Sequence, residues 1–85
     1  MKKFDYTITD ELGIHARPAG MLVKEAAKYE ADVTLECNGK KGAAKRIFTV
    51  MGMGIKQNDS VTVSINGVDE EAASSALEQF FKNNL

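Results

Sequence analysis

Val33-Thr34-Leu35-Glu36-Cys37-Asn38-Gly39 alternates apolar and polar side chains and then breaks into Asn-Gly. A period of two marks a strand with one buried face, and Asn-Gly supplies the positive-φ positions that a tight hairpin turn requires. The stretch therefore predicts a strand that turns back on itself, which makes the sheet antiparallel here. The returning strand is expected at 40–44. Its residues are small and weakly patterned, as suits an edge strand, with Lys40, Lys41 and Lys45 discouraging edge-to-edge pairing.

Two further strands have the same signature. Phe4, Tyr6 and Ile8 alternate with Lys3, Asp5, Thr7 and Thr9, predicting a strand over 3–9, and Val61, Val63 and Ile65 alternate with Ser60, Thr62 and Ser64. Strands with one apolar and one polar face build a sheet covered on one side only, so helices must pack on that side. Three segments supply them. Over 17–29 the period lengthens, with Ala19, Leu22, Val23 and Ala26 in one stripe and Lys24, Glu25 and Lys28 facing water. Asp69 is the expected N-cap of a last helix ending near Asn83, with Glu70 and Glu71 suiting the positive end of its dipole and Ala73, Ala76, Leu77, Phe80 and Phe81 lining its apolar face. Between them, 46–53 holds Ile47, Phe48, Val50, Met51 and Met53, too many apolar residues for one stripe of a short helix. Either the helix is wholly buried or part of it faces out. The second reading is favoured in so small a chain, with Val50 inward and Ile47, Phe48 and Met51 forming an exposed patch.

The chain has 85 residues, enough for one small domain over 1–85. With 44% hydrophobic and 27% charged residues and a net charge of −1, it belongs to neither the disordered nor the membrane-spanning class, and it is not a basic nucleic-acid binder. The alternation after Met1-Lys2-Lys3 leaves no apolar run for a signal peptide, which puts the protein in the cytoplasm without membrane insertion. The single cysteine, Cys37, falls on an apolar strand face and reads as a small buried hydrophobe. One histidine and one cysteine make a metal site unsupported, and no cofactor is implied.

Chemistry concentrates in Leu12-Gly13-Ile14-His15-Ala16-Arg17-Pro18-Ala19, where the only histidine and the only proline stand beside an arginine. At a helix start, free backbone N–H groups and the positive dipole end favour a neutral, nucleophilic imidazole over imidazolium. An anion carried on that ring would be held by the amides around Ala16 and Arg17. Arg17 adds a planar fork that matches phosphate oxygens. Pro18 is tolerated in the first helical turn, where no intrahelical bond is lost, and Gly13 lets the backbone turn before the ring. A lone histidine here also serves as a plain cap or a solvated loop residue, so spacing alone leaves the two readings level.

Gly13-Ile14-His15-Ala16-Arg17-Pro18-Ala19 resembles the active-site signature of the HPr family, the histidine-containing phosphocarriers of the phosphoenolpyruvate-dependent sugar phosphotransferase system. The likeness extends to the position of the histidine, Asn38-Gly39, the 45–54 segment and the C-terminal amphipathic helix. It implies an α+β open-faced β-sandwich, β-α-β-β-α-β-α, whose four-stranded antiparallel sheet has order 1-4-2-3 with three helices on one face. It also implies that His15 takes a phosphoryl group on Nδ1 from enzyme I and passes it to enzyme IIA while Arg17 steadies the phosphate. Such a protein is a stoichiometric carrier, expected as a monomer, and not a turnover enzyme. The family binds its partners through the first two helices, which assigns Gly20, Met21, Lys24, Ile47, Phe48 and Met51 to docking, although an exposed Met21 is also a common surface residue. One departure stands out: many relatives from low-GC Gram-positive bacteria have a kinase-modified serine at the position of Arg46, and arginine has no hydroxyl. A regulatory interaction module on the same fold is the competing function. A hydrolase using His15 as general base lacks an obvious nucleophile or orienting carboxylate nearby, apart from Asp10 and Glu11.

Overall fold

The computed structural model describes residues 1–85. In chain order the elements are β1 (Lys2–Thr7), α1 (Ala16–Ala27), β2 (Asp32–Cys37), β3 (Lys40–Ala43), α2 (Ile47–Gly52), β4 (Ser60–Asn66) and α3 (Glu70–Asn84). The strands form one sheet of order β1-β4-β2-β3, antiparallel throughout. This is the expected architecture, with element ends shifted by one or two residues. The β2–β3 turn has Asn38 at φ 53° and Gly39 at φ 78°, the left-handed pair that a two-residue hairpin needs.

One face of the sheet is buried. Val33, Leu35 and Cys37 of β2 and Val61, Val63 and Ile65 of β4 are almost wholly excluded from solvent and meet Leu22 of α1 and Leu77 and Phe81 of α3. Fully burying a side chain of this size stabilises by about 1.5–3 kcal/mol relative to leaving it exposed. Phe81 is the hub of the α3 contact, meeting the rings of Phe4 and Tyr6 edge-on at 5.6 Å each and that of Phe80 at 6.2 Å. The opposite face is polar, and there the Thr62 hydroxyl donates to Asp5 across the β1–β4 ladder at 2.6 Å. Cys37 is buried as expected, and burial, aided by the nearby Asp59 carboxylate, pushes its thiol up from the ordinary value.

Gly42 of β3 has a packing reason. A Cβ on Gly42 would lie 2.5 Å from Cγ2 of Thr49, so α2 sits directly on this strand at Gly42 and leaves no room for a side chain there. Two expectations are corrected. Lys45 is no edge guard, because its ammonium donates to the Tyr29 carbonyl at 2.7 Å and ties the α1–β2 turn to the start of α2. Asp69 occupies the N-cap position of α3 but makes no cap bond through its side chain. Its carboxylate instead accepts the N–H groups of Glu30 and Ala31, both at 2.9 Å, which satisfies amides that the α1–β2 turn would otherwise strand. No helix is long and apolar enough to cross a membrane.

Candidate functional site

The segment between β1 and α1 is held by backbone bonds at both ends. The N–H groups of Thr9 and Asp10 both donate to the backbone oxygen of Leu85, at 2.6 and 2.9 Å, and the Thr9 hydroxyl joins them at 3.1 Å. At the other end Ile14 is buried and its N–H donates to the Ile55 carbonyl at 3.1 Å. Between these anchors the chain makes a compact turn, with the Leu12 N–H donating to Oδ1 of Asp10 at 2.8 Å and the Gly13 N–H to the Asp10 carbonyl at 3.0 Å. Gly13 has φ 66°, and a Cβ there would lie 2.2 Å from the Ile55 oxygen. Glycine is thus required twice, for its conformation and for the close approach.

This turn delivers His15 to the N-cap position of α1, with φ −91° and ψ −174°. The His15 carbonyl accepts the first bond of the helix, from the Ala19 N–H at 2.9 Å, and no side chain caps the helix start. The N–H groups of Ala16 and Arg17 have no acceptor within the helix, and Pro18 has no N–H to satisfy. The half-buried ring of His15 therefore stands beside two free amides at the positive end of a 12-residue helix. Arg17 is exposed and makes no salt bridge, so its guanidinium is free for an anion.

His15 and Arg17 open onto a shallow cleft of about 230 Å³ lined also by Asp10, Pro18, Met21 and Asn84. Of these, Asn84 is the one to which the sequence does not point. Asp10 opens the loop expected over 10–14, and its N–H bond to Leu85 fixes its backbone where it borders the cleft. Asn84 comes from the end of α3, where its side chain donates to the Phe80 carbonyl at 3.0 Å, and nothing in the local sequence signals its approach.

The expected docking residues come together on one surface. Arg17, Gly20, Met21 and Lys24 follow one another at helical spacing along one side of α1. The gap beside Gly20 brings α2 close, since a Cβ there would stand 3.7 Å from Cδ1 of Ile47. On α2 the division follows the expectation for Val50, which is fully buried, and for Phe48 and Met51, which are 86% and 41% exposed, but Ile47 is half-buried and packs against the core, so the exposed patch is smaller than expected. Arg46 is the exposed N-cap residue of α2, with no capping bond and no ion pair.

Fold and cleft describe a small protein that offers one histidine, backed by free amides and an unpaired arginine, beside an apolar surface. Comparison with known proteins agrees. The family described as the PTS HPr component phosphorylation site matches residues 2–83. The phosphocarrier protein HPr of Mycoplasma genitalium is 41% identical over 85 residues, covering 99% of this chain and 97% of its own. The solved histidine-containing phosphocarrier protein from a mycoplasma superposes with a TM-score of 0.94 at 40% identity, covering 96% of this chain and 93% of its own. An HPr dimer from Thermoanaerobacter tengcongensis superposes with a TM-score of 0.77 at 36% identity, covering 98% and 95%. The chain belongs to the HPr family, the phosphocarrier components of the phosphotransferase system, which carry a phosphoryl group and are not turnover enzymes.

Proposed function

We propose that His15 is the phosphoryl acceptor, through Nδ1, and that the group arrives from enzyme I and leaves for enzyme IIA. The observation that carries this reading is the juxtaposition at the start of α1: an accessible ring, the unbonded N–H groups of Ala16 and Arg17, and a guanidinium with no partner. Amides and dipole hold the phosphoryl oxygens without further charge, and the Arg17 fork supplies the planar cation that a phosphate prefers. Pro18 starts the helix without adding a competing donor. The exposed side of α1 and the Ile47, Phe48 and Met51 surface of α2 dock both partners in turn. Using one surface for both makes the two partners exclude each other, so the carrier meets them one at a time. The protein works in the cytoplasm, and as a monomer it leaves the α2 surface uncovered for its partners.

Incubation with a bacterial enzyme I and phosphoenolpyruvate tests the reading. One phosphate per chain is expected, labile to acid and stable to base, and absent from His15→Ala. Unchanged labelling of that variant refutes the assignment.

A further inference from the structure

We propose that Asp10 sets how readily the phosphoryl group leaves His15, by holding an uncompensated negative charge in the same cleft. The proposal rests on the carrier reading above. Asp10 lines the cleft with His15 and Arg17. It is fixed there by its own N–H bonded to Leu85 at 2.9 Å, by its carbonyl accepting from Gly13 at 3.0 Å and by Oδ1 accepting from Leu12 at 2.8 Å. It makes no salt bridge, and neither does Arg17, so the carboxylate is not neutralised across the cleft.

A phosphoryl group on His15 brings nearly two negative charges into this space. The amides and Arg17 attract it, whereas Asp10 repels it. When the Nδ1–P bond breaks, its electron pair returns to the ring nitrogen and the phosphoryl group bonds to the acceptor's nucleophile, so the charge leaves the cleft and the repulsion ends. The repulsion offsets part of that attraction in the phosphorylated protein alone. Asp10 thus raises the transfer potential of the phosphorylated protein, while the helix start and Arg17 keep the group in place long enough to be passed on.

Asparagine at this position keeps the acceptor for the Leu12 N–H and removes only the charge, so the turn is preserved. Wild-type protein labelled with ¹⁵N and unlabelled Asp10→Asn are mixed in equal amounts with a trace of a bacterial enzyme I and limiting phosphoenolpyruvate. Reversible transfer through enzyme I brings the two carriers to equilibrium, and intact mass reads the share held by each. At low salt the phosphoryl group is expected to favour Asp10→Asn by about three- to tenfold, as like charges across a solvated cleft imply. The bias should shrink at high salt, and Asp10→Glu, which restores the charge, should share evenly with wild type. An even partition between wild type and Asp10→Asn at low salt, or a bias that salt leaves unchanged, overturns the proposal alone. Absence of phosphohistidine from both proteins overturns the carrier reading and this proposal with it.

Discussion

Replacing Gly13 with alanine tests how the site is held, because the substitution touches no group that would contact phosphate. At φ 66° an L-residue costs about 1–2 kcal/mol. The added Cβ would also lie 2.2 Å from the Ile55 oxygen and 2.7 Å from Cα of Lys56, both backbone atoms, so the 13–14 segment must lift away. Lifting it breaks the bond from the Ile14 N–H to that same oxygen, a further loss of about 0.5–1.5 kcal/mol. Together these give about 1.5–3.5 kcal/mol, which for a domain of this size lowers Tm by roughly 6–28 °C. Gly54→Ala is the control, in the adjoining loop at φ 64° with nothing within 4 Å of the added Cβ, so it should lose only the conformational part. Thermal melts measure the stability difference, and enzyme I-dependent labelling of His15 measures the site. Gly13→Ala should slow transfer by up to about 10²-fold, because misplacing a reacting group by an ångström costs that much, while Gly54→Ala should transfer almost normally. Equal melting temperatures and equal transfer for the two variants would refute the claim that the Gly13–Ile55 apposition aims His15.

Arg17→Ala should slow transfer with little change in Tm, since an exposed, unpaired cation adds little to stability; paired rate and melting measurements check this. Phe48→Ala should weaken enzyme I binding, measured by titration calorimetry, while costing far less stability than the roughly 3–5 kcal/mol of a buried Phe→Ala change. Asp69 has its carboxyl held below the usual value of 3.8, first by the Glu30 N–H, so its contribution to stability is complete above that pH and is lost as the pH falls through the depressed value. Melting curves taken at successively lower pH should show Asp69→Ala losing less stability on acidification than wild type does. Incubation with the ATP-dependent kinase that modifies a serine in related carriers should add no phosphate by intact mass, because Arg46 has no hydroxyl and Thr49 is half-buried with its methyl group toward Gly42.

The fold was legible because its signals are local. Asn38-Gly39 and three alternating runs define the strands, and the single-stripe helices define the covered face. Sheet order was legible only through the family resemblance, since periodicity cannot say that β4 lies between β1 and β2. His15, Arg17 and the division of α2 into inward Val50 and outward Phe48 were also readable, each from its neighbours in the chain. The misreadings involve partners distant in sequence. Asp69 has the composition of a cap yet serves amides 38 and 39 residues away, and Lys45 sits among basic edge residues yet reaches a carbonyl 16 residues back. A side chain that can bond locally or remotely chooses according to which backbone group is otherwise unsatisfied, and that is a property of the assembled fold.

The site is aimed chiefly by main-chain groups. Of the anchors that hold 9–14, those from Thr9, Asp10, Gly13 and Ile14 use their own N–H groups, and their acceptors are the backbone oxygens of Leu85, Asp10 and Ile55. Leu12 contributes its N–H to the turn while its side chain stands 71% exposed. Side chains at 11 and 12 are therefore free to change without moving the ring. The elements that supply the acceptors are less free: the end of α3, fixed through buried Phe81, and the segment after α2, fixed through buried Met53 and Ile55. Tolerance at the rim of the cleft and intolerance in the core beneath it follow from one arrangement, in which the loop between β1 and α1 is pinned by main-chain bonds to the end of α3 and to the segment after α2.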